Sequence, residues 1–199
     1  LLGGAVRPAL PFSAYLFYKF ARHHGWEHDA ADDWGEVLTP AQMVGEAQRM
    51  VGQYGFGSIK LKGGVFAPEV EIDALLALRA AFPGMPLRID PNGGWTVETT
   101  RRVLPALAAD GLLEYLEDPV STLQEMGAVA KFANGMPLAT NMVTIAFGHI
   151  PESVRLGAVQ VILSDHHYWG GLRATQQLAA IGRTFGIGIS MHSNSHLGI

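Results

Sequence analysis

The 199-residue sequence predicts an α/β fold, a TIM-type (β/α) barrel that is incomplete at about seven strands. Three observations predict it. Short apolar runs alternate with helical stretches at one steady interval, which signals βαβ units and a parallel sheet. The runs are apolar and β-branched, as in Val159–Leu163 (VQVIL), which fits burial on both faces. Six successive runs end in a polar residue, Lys62, Asp90, Glu117, Asn141, Asp165 and His192, at intervals of 28, 27, 24, 24 and 27 residues by subtraction of those numbers. A βα unit of a TIM-type barrel averages about 31 residues, and the carboxyl ends of its strands form the active-site face. An open doubly wound sheet gathers its polar groups at one switch point instead.

Residues 1–11 read as a connecting segment, and residues 12–199 as the partial barrel. Phe12–Tyr18 is the first candidate strand, rich in aromatics. Ala21–Val37 is a polar loop carrying His23, His24 and His28, read as a solvated excursion, although loops of this length often cover sites. Thr39 caps a helix that begins at Pro40, runs to about Gln53 and is closed by Gly55 and Gly57. The strand Ser58–Lys62 follows, ended by Gly63 and Gly64. Its alternation puts Lys60 and Lys62 on one face and Leu61 on the other. Burying that lysine face would be costly, so taken alone the strand reads as a solvated edge.

The pattern then repeats. Helices near Pro68–Phe82, Val97–Ala109, Leu123–Phe132, Pro151–Leu156 and Leu172–Phe185 lead into strands Leu87–Asp90, Leu113–Glu117, Pro137–Asn141, Val159–Asp165 and Gly188–His192. Of the adjacent His166 and His167 at most one faces the strand-end rim, and neither is assigned a role. Trp95, Tyr168 and Trp169 read as wall or core.

Hydrophobic residues make up 48% and charged residues 16%, with a net charge of −4 and no basic run, which argues against a nucleic-acid partner. The chain has no cysteine, which excludes disulfides and thiolate metal sites and fits a reducing compartment. No apolar run approaches membrane-spanning length, and Arg7, Pro8 and Pro11 interrupt the apolar start, so neither a membrane partner nor a signal peptide is expected. A cytoplasmic homo-oligomer is the expected state. The chain lacks an initiator Met and is expected to be an internal piece of a longer protein.

Asp90, Glu117 and Asn141 come from three successive strands and all offer oxygen, which suits Mg²⁺, or Mn²⁺ in its place. Lys60 and Lys62 lie to one side of that set, and Asp165 with His192 to the other. A carboxylate beside an imidazole fixes its tautomer and supports its protonated form. One candidate base on each side of a metal suits removal of a proton next to a carboxylate. Each residue alone has a plainer reading. Asp90-Pro91-Asn92 is turn chemistry, Glu117 and Asp118 before Pro119 fit a solvated strand end, and Asn141 fits a helix cap.

Together, the stretches YLFY at Tyr15, KLKGG at Lys60, DPNGGW at Asp90, EDP at Glu117, ATNM at Ala139, SDHHYW at Ser164 and MHSNSH at Met191 resemble the barrel domain of the enolase superfamily, and within it the glucarate dehydratase group. That resemblance implies an Mg²⁺-dependent dehydratase acting on an acid sugar. It implies Lys62 as the base on one face of the substrate, Lys60 at its carboxylate, and His192, paired with Asp165, as base on the other face and acid for the departing hydroxyl. Asp90, Glu117 and Asn141 would hold the cation, with Glu125 a competitor to Glu117. Tyr15, Asn92, Ser193 and Asn194 would contact the sugar. The N-terminal cap and last barrel strand of the superfamily are absent from the sequence. Another acid-sugar dehydratase or epimerase, or a non-catalytic homologue, is the alternative reading.

Overall fold

The computed structural model describes residues 3–4, 7–22 and 32–192. Seven strands run in parallel: β1 (Ser13–Leu16), β2 (Ser58–Lys62), β3 (Leu87–Asp90), β4 (Tyr115–Glu117), β5 (Leu138–Thr140), β6 (Val161–Asp165) and β7 (Gly188–His192). Their order in the sheet is their order in the chain, with no reversal and so no switch point. Residues of β1 and β7, the two ends of the sheet, line one cleft, so the sheet curls. Among the described residues β1 and β7 are not paired with each other, which leaves the barrel open there.

The crossovers carry α1 (Pro40–Tyr54), α2 (Pro68–Ala81), α3 (Val97–Ala108), α4 (Leu123–Ala130), α5 (Ile150–Leu156), α6 (His166–Trp169) and α7 (Leu172–Phe185). Local chemistry sets their ends. Thr39 and Gln42 form a reciprocal capping box at the start of α1, and Gly55 closes it in the left-handed conformation. Thr122 and Glu125 form the same box on α4. Residues facing the helices, among them Ala14, Leu16, Ile59, Leu61, Leu87, Ile89, Leu116 and Leu138, are fully buried and make one core with Leu75, Leu78, Leu107 and Met126. The inner face holds a much smaller apolar cluster, Tyr115, Ala139 and Leu163. The rest of the inner face at the carboxyl end is polar, and there the chemistry is concentrated.

Several boundaries differ from the sequence reading. The first strand shortens to Ser13–Leu16, where Ser58–Leu61 supply its partners. The strand expected over Pro137–Asn141 ends at Thr140, because the Asn141 amide turns to the Asp118 carboxylate at 2.9 Å. The solvated-edge reading of the lysine strand also fails. Strand β2 lies between β1 and β3, and Lys60 is only 6% exposed. The unpredicted α6 is a single turn after β6. His23, His24 and His28 lie outside the described residues. The end of their loop is pinned by Trp34, whose ring meets the Lys19 and Arg49 cations and whose carbonyl accepts from Arg49.

The glycines after β2 permit close approach of its loop to the loop after β3. Gly64 has φ +76°, and a Cβ there would lie 2.4 Å from the Pro91 carbonyl oxygen. Neither the backbone conformation nor the space tolerates a side chain. Gly64→Ala is expected to destabilise the protein by about 1–3 kcal/mol, read as a lowered denaturation midpoint in urea. An unchanged midpoint would mean that the two loops separate freely.

Candidate active site

The strand order brings residues from opposite ends of the chain to one rim. A cleft of about 690 Å³ at the carboxyl ends of the strands is lined by the polar Tyr15, Lys62, Asn92, Asn141 and His192 and also by Phe17, Met142, Ile145 and Tyr168. Lys60, Asp90 and Glu117 form a buried cluster at this end of the strands, at 6%, 1% and 0% exposure.

Alternation along β2 aims both lysines inward, and each finds a carboxylate. Lys60 Nζ lies 2.5 Å from Glu117 Oε1 and 3.1 Å from Asp90 Oδ2. Lys62 Nζ donates to Asp90 Oδ2 at 2.7 Å and to Asn92 Oδ1 at 2.5 Å. Asn92 takes a left-handed conformation, φ 56°, with its amide on Asp90 Oδ1 at 2.9 Å, so the DPN turn presents both side chains to Lys62. Tyr15 donates a long hydrogen bond, 3.4 Å, to Asp90 Oδ2, and its ring lies 4.8 Å from the Lys60 ammonium. Burial, together with Asp90 and Glu117, holds the Tyr15 phenol well above its ordinary range, so it remains an O–H donor.

At the far end of the sheet, register pairs Asp165 with His192. The fully buried Asp165 carboxylate meets His192 Nδ1 at 2.7 Å. The amide Nδ2 of Asn141 is 3.5 Å from the same ring nitrogen. The shorter, charge-assisted contact with the carboxylate decides the tautomer: the proton belongs on Nδ1, which leaves Nε2 as the basic nitrogen. His167 Nδ1 is 3.5 Å from Asp165 Oδ1, and its ring stacks on that of His166.

The expected residues Tyr15, Lys60, Lys62, Asp90, Asn92, Glu117, Asn141, Asp165 and His192 therefore share one region. Ser193 and Asn194 lie outside the described residues. Glu125 is turned away from this cluster into the cap of α4, where it accepts from the Thr122 hydroxyl at 2.8 Å. Trp95 and Trp169 are core residues, and Tyr168 is exposed at the cleft. Two carboxylates went unassigned in the sequence reading. Glu71, fully buried on α2, accepts the backbone N–H groups of Gly64, Val65 and Phe66 at 3.0, 2.8 and 3.0 Å and so shapes the loop after β2. Its position in the first turn of a helix was the available signal. Asp118 is fully buried beside Glu117, signalled by the EDP stretch itself.

Oxygens of Asp90, Glu117 and Asp118 lie within 4.8 Å of one another, close enough to share a cation. Glu117 Oε2 is buried with no hydrogen-bond partner, an acceptor that a hard cation would satisfy. Burial, with Asp90 and Asp118 nearby, pushes the Glu117 carboxyl up to about 8 against the pull of Lys60. Burial also raises Asp90, but Lys60 and Lys62 outweigh it and hold that carboxyl below its usual range. Without a cation, Glu117 in the folded protein keeps a proton that the unfolded chain has lost. Its contribution to stability is complete below the ordinary value of 4.5 and is lost as pH rises toward about 8. A cation must displace that proton. Divalent-cation affinity is therefore expected to rise with pH up to about 8, by at most about tenfold per unit, with proton release seen by calorimetry in buffers of different ionisation enthalpy. A pH-independent affinity would mean that Glu117 is ionised beforehand.

Similarity to known proteins follows the same lines. The chain is 58% identical over all 199 residues to a protein of Streptomyces coelicolor described as a probable glucarate dehydratase, of which it covers 46%. It is 33% identical over 187 residues to an o-succinylbenzoate synthase of Mycobacterium ulcerans, matching 85% of this chain and 56% of that one. The chain thus spans about half the length of the curated relatives it matches. An enolase of Pseudomonas fluorescens, solved with magnesium, potassium and tartrate, superposes with a TM-score of 0.93 at 53% identity over 98% of this chain and 45% of its own. With residues 42–199 matching the family model described as enolase C-terminal domain-like, the chain belongs to that family.

Proposed function

We propose that this chain carries the catalytic barrel of a magnesium-dependent hydro-lyase that removes water from an acid sugar, D-glucarate or an epimer, to give 5-dehydro-4-deoxy-D-glucarate. The observation that carries the reading is the arrangement of Lys62 and the His192–Asp165 pair on one cleft beside the buried Asp90 and Glu117 carboxylates. The 58% identity to a probable glucarate dehydratase, and the tartrate bound by a structural relative, itself a hydroxy dicarboxylate, support the substrate class.

Asp90, Glu117 and Asn141 would hold the cation, which when bound offsets the negative charge that develops on the substrate carboxylate. Lys60 would bind and polarise that carboxylate. Lys62 takes the proton beside the carboxylate from one face, and His192 Nε2 takes it from the other. The C–H electron pair forms a C=C bond as the neighbouring C–O bond breaks, and His192 in its imidazolium form gives a proton to the departing hydroxyl. Where Lys62 is the base, it then releases its proton to water and His192 takes one back. Asp165 stabilises that imidazolium. Tyr15 and Asn92 orient the sugar from the rim, as would Ser193 and Asn194. The enol product tautomerises to the ketone, so the balance is one water lost per substrate.

A panel of D-glucarate, L-idarate and galactarate, assayed with the intact protein with and without Mg²⁺, tests this reading. Magnesium-dependent dehydration of at least one is the expected result. The similarity to an o-succinylbenzoate synthase favours, as second reading, another reaction of the family at the same site, and turnover of none of the three would leave that reading standing instead.

A further inference from the structure

We propose that Asp118 is the positioning residue that aims the Asn141 side chain at the bound cation, an inference that rests on Asn141 being a ligand. Asp118 is fully buried, and its backbone is left-handed at φ 35°. A non-glycine residue keeps that conformation only when its surroundings over-determine it. Here they do. The Asp118 backbone N–H donates to the Ala139 carbonyl at 3.0 Å, and the Asp118 carbonyl accepts from Gly93 at 2.7 Å, so one residue ties the loops after β3 and β4 to strand β5.

The carboxylate completes the arrangement. Oδ1 accepts the Thr140 hydroxyl, and Oδ2 accepts the Asn141 backbone N–H at 2.9 Å. Thr140 Oγ1 in turn accepts the amides of Met142 and Val143 at 3.0 and 2.9 Å. The backbone leaving β5 is thus folded over one carboxylate and one hydroxyl, and Asn141 emerges from it into the cleft beside His192. Although Asp118 lies within 4.8 Å of Asp90 and Glu117, both of its oxygens are already committed to β5. It therefore acts through Asn141, not as a donor in its own right. Bonds of this kind in a buried setting hold a ligand's orientation, and their loss typically weakens metal binding about 10–100-fold.

The test is a double-mutant cycle on Mn²⁺ affinity, read by electron paramagnetic resonance of the intact protein. Asp118→Asn keeps the shape but replaces one acceptor by a donor, so it cannot serve both Thr140 and Asn141. It is expected to weaken Mn²⁺ by about 10–100-fold. Asn141→Ala should weaken it too, and the double variant should be no weaker than Asn141→Ala alone. If Asn141→Ala binds Mn²⁺ normally, both the ligand reading and this inference fall. If Asn141→Ala is weakened but Asp118→Asn is not, or if the two losses add, the inference alone falls. Should Asp118→Asn fail to fold, Thr140→Val, which removes the hydroxyl between Asp118 and the amides of Met142 and Val143, enters the same cycle with the same outcomes.

Discussion

Lys62→Ala and His192→Asn are each expected to lower kcat for hexarate dehydration by about 10²–10⁴-fold while leaving the fold in place. Both side chains are about one-fifth exposed, 22% and 20%, so neither supports the core. Asp90 keeps Lys60 at 3.1 Å when Lys62 is removed. Asparagine at 192 is chosen because the fully buried Asp165 would otherwise lose its closest donor, which would confuse a catalytic loss with a folding one. The two variants separate further in proton exchange. D-Glucarate and L-idarate differ only in configuration at C5. If Lys62 and His192 serve opposite faces, each variant should lose C5 exchange into deuterated water for one epimer and retain it for the other, as followed by NMR. Loss of exchange for both epimers in both variants would sink the two-face arrangement, and wild-type turnover in either would remove that residue from the mechanism.

Why these residues are legible in the sequence has a physical basis. The repeat of apolar run, polar terminus and capped helix encodes the barrel topology, and strand alternation alone places Lys60 beside Lys62. Once the strands are ordered in sequence, Lys62 and His192 must come to one rim although 130 positions separate them, 192 minus 62. What the local pattern cannot carry is the partner of a buried charge. Lys60 reads as a surface lysine until Glu117, from a strand two places away, is seen at 2.5 Å. Glu71 and Asp118 look like ordinary helix-start and strand-end acids. Their roles depend on a loop that returns its amides to Glu71 and on a left-handed backbone at Asp118, neither of which has a periodic signature. Glu125 and Glu117 separate only when the Thr122 capping box claims the former.

Lys60→Met should have the largest effect on stability, and the effect should depend on magnesium. In the cation-free protein the Lys60 ammonium is nearly buried and bridges two buried carboxylates, Glu117 Oε1 at 2.5 Å and Asp90 Oδ2 at 3.1 Å. Methionine fills the volume but leaves those carboxylates facing each other, relieved only by Lys62 at Asp90. Above about pH 8, where the Glu117 carboxyl has lost its proton, removing one partner of a buried pair typically destabilises by about 3–5 kcal/mol, because the remaining charge has no water to return to. A divalent cation on the same carboxylates supplies what the lysine did. At a hundred times its Kd a ligand specific to the native state adds about 2.7 kcal/mol. The variant should bind the cation more tightly than wild type, since a competing positive charge is gone. Urea titrations above about pH 8, with and without saturating Mg²⁺, are therefore expected to show a large loss in the absence of the ion and a much smaller one in its presence. An equal loss under both conditions would mean that Lys60 and the cation act on different carboxylates, and the shared site between β2, β3 and β4 would have to be abandoned.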